Sequence, residues 1–477
     1  MSITSVNSSA DITDGQLDVE IQMGEAITGS SATVTINNEL QLNVAVDNVS
    51  DKILFNHRLG DMVLNSKGET AHILSVDFIN EVVEVVVAYG QSNTFGWKTA
   101  DLNPNDTVTE SATDILMMNS GKTALIQATK QIPSDETASL AAGDSDCMLD
   151  FANYFRNYFN ARGTTDLEQV LQVSGLGSSA VTDLADGTTP FTNWESDFTT
   201  LCGLITTAGK VPHVSTILYT QGEKDVNTSV ETGWASRVAT TIYDPMIAHI
   251  KTTTGQADDP IMQVAPLTMH SNYTTNGQDY NEIALEQLEL QDLRPGRVKA
   301  TVHTGWLEHS ADGIHYSGKG QRYMRQMQAK FAAYTDLKPL TASHARRASS
   351  TIELRVNGGT GNLQFDYTTH ASTTAKGIRV FNNVAAAVTI SSVTLDNTNS
   401  YDRRIVVTLA DGGTNGPYTI DGSYFSDNGL GGGQYHANIV PITDSDTRDG
   451  VLSDSATIGN QTLTNPLMPF NLTASEP

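Results

Sequence analysis

A chain of 477 residues has length for several domains at about 100–200 residues each. Only 17% of its residues are charged, while Ser, Thr, Asn, Asp and Gly abound, a balance that favours β-rich, loop-rich modules over long helices. The formal net charge of −26 repels phosphate backbones and anionic membranes. Nucleic acid is therefore excluded as an expected partner, and neutral polymers or an assembled, highly soluble particle remain. No stretch approaches the ~18 apolar residues of a membrane-spanning helix, so no membrane insertion is expected. The opening Met1-Ser2-Ile3-Thr4-Ser5-Val6-Asn7 lacks a basic region followed by an apolar one, so no signal peptide is expected. That leaves a cytosolic chain, or one that leaves the cell by another route such as a virus particle. Cys147 and Cys202 lie far apart and outside any CxxC pair, so no zinc or redox motif is supported; one disulfide or two inert core thiols remain open, the second favoured.

Residues 1–82 alternate apolar and polar in runs such as Leu17–Ile21, Ala32–Ile36 and Leu40–Val46, the period of half-buried strands. Asn37-Asn38 and Asn65-Ser66-Lys67-Gly68 punctuate them as turns. A small β module for anchoring or assembly is expected, with His57 and His72 as structural residues. From 83 to 337 the pattern changes to strand–helix alternation, which implies a parallel sheet covered by helices. Residues 148–161 have helical spacing, with Phe151, Tyr154, Phe155, Tyr158 and Phe159 as a core-facing aromatic stripe. Strands are expected at Gln169–Val173, Val214–Tyr219, Ile261–Ala265 and Val298–Val302, and helices over 229–252, 281–293 and 318–334. Residues 338–350 read as a polar, basic linker, 351–443 as a β-sandwich with strands including Ile352–Val356, Arg404–Leu409 and His436–Val440, and 444–477 as an extended tail. Asp444–Gly450 has the look of a calcium loop, but Arg448 stands where a ligand is needed and no Glu follows at the right distance, so no metal is expected.

The chemistry begins at the seam between the first two modules. The β-branched run Val85-Val86-Val87-Ala88-Tyr89 stops abruptly at Gly90-Gln91-Ser92-Asn93, a buried strand ending in a turn with a hydroxyl at its tip. A strand end is where an α/β hydrolase places its nucleophile, although Gly and Ser also suit an ordinary turn. Ester hydrolysis at a serine further needs an imidazole base, a carboxylate to orient it and donors for the oxyanion. Asp312 and His315, three apart in one loop before a helix, supply the first two, though a polar helix-entry loop would look the same. Gln221, in Gln221-Gly222-Glu223-Lys224-Asp225, and Gly177, in Ser174-Gly175-Leu176-Gly177-Ser178-Ser179, end two other expected strands and could join the Ser92 N–H as donors.

These blocks, Gly90-Gln91-Ser92-Asn93, Gln221-Gly222-Glu223-Lys224-Asp225 and Asp312-Gly313-Ile314-His315-Tyr316-Ser317 with Gly320 beyond, stand in an order that resembles the SGNH (GDSL-like) hydrolase superfamily, in its carbohydrate-esterase branch of sialate O-acetylesterases and acetylxylan esterases. The resemblance covers 83–337. It implies a three-layer α/β/α domain with a parallel sheet, so the expected fold is multidomain: this α/β domain between an N-terminal all-β domain and a C-terminal β-sandwich. It implies Ser92 as nucleophile, His315 as base, Asp312 as its orienting acid, and Ser92, Gly177 (or Gly175) and Gln221 as the oxyanion hole. Gln91, Asn93, Trp97, Glu223 and Tyr316 are the expected substrate-contacting residues, with loop orientation a second reading for Glu223 and packing for Trp97 and Tyr316. The implied reaction is removal of O-acetyl groups from carbohydrate without cofactor or metal. The expected partners are an acetylated polysaccharide and either further copies of the chain or other virion proteins. Polar β-rich flanks suggest a phage tail or surface protein acting on host glycan, with a bacterial enzyme, extracellular or cytoplasmic, or a structural protein that only binds glycan, as alternatives.

Overall fold

The computed structural model describes residues 82–95, 115–128, 148–156, 167–226, 233–267, 282–310, 312, 314–334, 337–359, 361–366, 373–399, 402–413, 416–422, 441–443 and 466–475 with their side chains, and the strands before Val82 by their backbone. Trp97, Cys147, the expected strand His436–Val440 and residues 445–450 of the calcium-like segment lie outside the described residues.

The central sheet has eight strands: Val82–Gly90 (β1), Ile115–Met118 (β2), Leu125–Gln127 (β3), Gln169–Gly175 (β4), Val211–His213 (β5), Thr216–Thr220 (β6), Ile261–Val264 (β7) and Val298–Ala300 (β8). Their order is β3-β2-β4-β1-β6-β7-β8, with β5 beside β1 ahead of β6. All neighbours are parallel except β2 and β3. The sheet is thus mixed, not wholly parallel as the alternation implied. The cause is a tight turn: Asn119 Oδ1 accepts from Thr123 N at 2.8 Å and Ala124 N at 3.2 Å, and a short hairpin can only join antiparallel strands.

Strand β1 runs through the centre because its side chains are apolar on both faces. Val83, Val85, Val87 and Tyr89 pack with Phe191, Trp194, Phe198 and Ile205 of Thr189–Thr207, with Trp234 of Trp234–Val238, Met246 of Asp244–Thr254 and Ile283 of Glu282–Leu293. Val86 and Ala88 pack on the other face with Phe151 and Phe155 of Met148–Asn160 and with Tyr323, Met324 and Met327 of Gly318–Ala333. Period-two alternation thus sorts one strand between two helix layers, each fully buried Val, Leu or Phe worth about 1.5–3 kcal/mol. The helix expected over 229–252 is observed as Trp234–Val238 and Asp244–Thr254 joined by a π turn, Ala239–Tyr243.

The register aligns Gly90 with Gly175 of β4 and with Thr220 of β6, so three strand ends meet at one level. Because β4 lies on one side of β1 and β6 on the other, this is the switch point at which open α/β sheets hold their sites.

The N-terminal region forms antiparallel sheets, among them Ser30–Ile36, Leu40–Val46, Thr70–Phe78 and Met62–Leu64. The C-terminal region is built of antiparallel sheets around a core that includes Ile352, Leu354, Ile405, Val407 and Ile420. Two expectations are corrected there. Residues 338–350 are not a linker: Thr341–Ala348 is a strand paired with Thr351–Asn357, Ala345 is buried, and Arg347 lies over the Tyr418 ring at 5.6 Å. Arg346 is exposed, whereas Ala345 and Arg347 on the opposite face pack inward, an alternation that the basic, polar composition of the segment hides. Nor do residues 444–477 form a tail throughout: Phe470–Ala474 pairs with Tyr418–Gly422, and Leu467 and Phe470 enter the core.

Candidate active site

Gly90 and Gly175 bring the strand ends together. A Cβ on Gly175 would sit 1.9 Å from Gly90 O, and one on Gly90 would sit 2.1 Å from Thr220 O; their φ values are +138° and +151°. Only glycine tolerates both the backbone angle and the contact.

Immediately after Gly90 the chain tightens into a 3-10 turn, Ser92–Thr94. Ser92 and Asn93 open that turn, so the turn itself offers their N–H groups no acceptor. The Ser92 Oγ lies 2.9 Å from His315 Nε2, and His315 Nδ1 lies 2.7 Å from Asp312 Oδ2. The other carboxylate oxygen, Asp312 Oδ1, accepts from Ser310 Oγ at 2.8 Å, His315 N at 2.9 Å and Ile314 N at 3.0 Å. Burial alone would raise the Asp312 pKa. The hydrogen bonds from the His315 ring, the His315 and Ile314 N–H groups and the Ser310 hydroxyl outweigh it and hold the carboxyl well below the usual carboxylate range. An ionised Asp312 can only accept, so Nδ1 of a neutral His315 carries the proton and Nε2 is left to accept from the Ser92 hydroxyl. The structure therefore brings Ser92, His315 and Asp312 together in the order that a serine hydrolase needs.

The expected donors divide. Gly177 is half-exposed in the loop after β4, which is pinned by Leu176 N donating to Gly90 O at 3.1 Å, by the Ser179 hydroxyl on Leu176 O, and by Val181 N on the Asp225 carboxylate at 3.1 and 3.2 Å. The Gln221 side chain does not point an amide N–H at the serine. It donates to Ser179 O at 3.3 Å and to Asp225, and accepts from Trp234 Nε1 at 2.8 Å. Burial raises the Asp225 pKa, against the hydrogen bonds that it accepts. Gln221 and Asp225 thus brace the Gly177 loop from below.

Four residues expected to touch substrate are buried instead: Gln91, Asn93, Glu223 and Tyr316 are 2%, 0%, 3% and 1% exposed. Gln91 Oε1 accepts from Lys224 N at 3.4 Å. Asn93 Nδ2 donates to Glu223 Oε1 at 2.6 Å, and the Tyr316 hydroxyl donates to the same oxygen at 3.4 Å. Their polarity serves hydrogen bonds within the protein, as buried polar groups require. Glu223 is held above the ordinary carboxylate range by its burial, against the bonds from Asn93 and Tyr316. Burial likewise pushes the Tyr316 hydroxyl far up, so it stays a donor.

Comparison with known proteins adds a family to this geometry. Residues 82–334 match the model for "Carbohydrate esterase, sialic acid-specific acetylesterase". The chain belongs to that family. The esterase is similar over 96% of its length to a solved carbohydrate acetylesterase from Xanthomonas citri, 95% of which is covered, at 14% identity and a TM-score of 0.52, a likeness of fold. It is also similar over 53% of its length to a solved Arabidopsis thaliana protein, 98% covered, at 15% identity and a TM-score of 0.40, and to NanS, 97% covered, at 12% identity and a TM-score of 0.39. No curated protein sequence matches. By its family, the esterase is a carboxylic ester hydrolase of the carbohydrate O-acetylesterase type.

Proposed function

We propose that this esterase removes O-acetyl groups from polysaccharide by two-step acyl transfer at Ser92. The observation that carries the reading is the relay from Ser92 Oγ through His315 to Asp312, at 2.9 and 2.7 Å, on the shared end of β1, β4 and β6. Ser92 Oγ attacks the acetyl carbonyl carbon as its proton passes to His315 Nε2. Asp312 fixes the tautomer and stabilises the imidazolium. The oxyanion develops against the Ser92 and Gly177 N–H groups, each donor of this kind worth about 2.7–4 kcal/mol. The tetrahedral intermediate collapses, the C–O bond to the sugar breaks, and His315 returns the proton to the leaving sugar oxygen. Water then enters by the same route, and acetate leaves.

The test is acetate release from acetylated glycans and from a simple aryl acetate by the wild type and by Ser92→Ala. The variant should be folded and lose hydrolysis of both. A Ser92→Ala protein that keeps hydrolysing, or a wild type that binds glycan and hydrolyses neither, would remove the reading. A place on a phage particle, against host surface glycan, belongs to the same proposal; the polar β modules on either side of the esterase domain support it. Detection of the chain in purified virions checks it.

A further inference from the structure

One side chain buried under the site touches none of the reacting atoms but is hydrogen-bonded to the loop that carries the histidine. Asn93 follows the nucleophile, and its amide spans the histidine. Its Nδ2 donates to Ile314 O and its Oδ1 accepts from Tyr316 N, both at 3.4 Å, one on each side of His315; Oδ1 also accepts from Gln321 Nε2 at 3.3 Å. A primary amide can turn over, which exchanges donor and acceptor and would set both histidine-loop contacts against like groups. Those contacts are long, and the shortest bond that the amide makes, 2.6 Å from Nδ2 to Glu223 Oε1, reinforces the same orientation, since an acceptor in that place favours the amide's donor end. The Tyr316 hydroxyl meets the same oxygen, so the turn after β1, the segment after β6 and the histidine loop converge on one atom.

We propose that Glu223 is the positioning residue of this site, locking the Asn93 amide and through it holding His315 in register with Ser92. The inference rests on the esterase reading of Ser92 and His315. The rival role for a carboxyl here is that of a second anion toward His315. The groups facing Glu223 are Asn93 from the serine turn and His315 and Tyr316 from the histidine loop, with Arg325 from the following helix acting on Tyr316. Its second oxygen, Oε2, is buried without a hydrogen bond, and burial opposes its ionisation. Both point to an acceptor at work, which a glutamine supplies equally well.

The experiment compares kcat, KM and the acid limb of the pH profile for the wild type, Glu223→Gln, Glu223→Ala, Asn93→Ala and the double alanine variant, on an aryl acetate, with active serines counted by a fluorophosphonate probe. The low-field proton resonance of the His315–Asp312 hydrogen bond is read in parallel and needs no turnover. Glu223→Gln should keep kcat, the acid limb and the resonance. Glu223→Ala should lower kcat per active serine by about 10²-fold with KM unchanged, the scale of a misplaced catalytic group, and broaden the resonance away. Asn93→Ala should match it, with no further loss in the double variant. A Glu223→Gln protein that loses activity with its acid limb displaced, a Glu223→Ala protein at wild-type kcat, or additive losses in the double variant overturns the proposal. Should Glu223→Ala not fold, Glu223→Gln decides it. An inert wild type removes the esterase reading alone, and the resonance in the two Glu223 variants still decides this inference.

Discussion

Replacing Asp312 by Asn tests how the carboxylate governs the imidazole. The carboxylate takes four donors: three on Oδ1, from Ser310 Oγ, Ile314 N and His315 N, and one on Oδ2, from His315 Nδ1. An asparagine has one oxygen. Three donors against one place that oxygen at the Oδ1 position, which turns the NH2 toward His315 Nδ1. Two donors cannot face each other, so Nδ1 becomes the acceptor and the proton moves to Nε2, where it meets the Ser92 hydroxyl and cannot accept from it. The loop geometry survives while the base is lost. The expected fall in kcat is ~10⁴-fold, the size seen for a forced wrong tautomer in a serine triad and equal to about 5.4 kcal/mol of barrier. The assay is kcat on an aryl acetate near neutral pH, with circular dichroism and the thermal midpoint recorded for the same sample. Activity within tenfold of the wild type, in a protein that melts normally, would show that Asp312 does not set the tautomer.

Two further outcomes follow from the fold. Gly175→Ala puts a methyl group 1.9 Å from Gly90 O at φ +138°; overpacking and backbone strain together should cost about 3 kcal/mol, read as a lower urea midpoint, and a wild-type midpoint would refute the contact. His213, between Asp258 at 3.2 Å and Glu84 at 3.1 Å, has its pKa lowered by burial but raised more by the two carboxylates, to about 10. A raised histidine pKa gives stability that is complete below about 6.5 and lost as pH rises through about 10. The wild-type urea midpoint should therefore fall between pH 7 and 10, and a His213→Gln protein should start lower and show less of that fall; parallel curves would contradict the clamp.

The reacting groups were legible because each falls where an abrupt change of pattern ends a strand or opens a helix. Ser92 stops a β-branched run, and Asp312 and His315 share a loop short enough for one residue to orient the other. What surrounds them is legible only in part: burial agrees with loop orientation for Glu223 and packing for Tyr316, not with substrate contact. Asn93, Glu223 and Tyr316 stand beside catalytic residues in sequence and are polar, the profile of substrate contacts. Their burial depends on partners 93 to 228 positions away, and no local pattern announces such a partner. Thr189–Thr207 is a different kind of miss. Its Phe191, Trp194, Phe198, Leu201, Cys202 and Ile205 repeat at helical spacing behind Pro190 at the first turn, a signal that the chain does carry. Strands β2 and β3, of four and three residues, are too short for periodicity to reveal.

The five residues from Gln221 to Asp225 work in two directions at once. Gln221 and Asp225 face the loop that carries Gly177, while Glu223 between them faces the serine turn and the histidine loop. The segment is a spacer whose two sides are set by counting alone. Inserting or deleting one residue there would leave composition and charge almost unchanged yet offer each side the other's side chains. Length, at this one place, is as much a part of the chemistry as the serine itself.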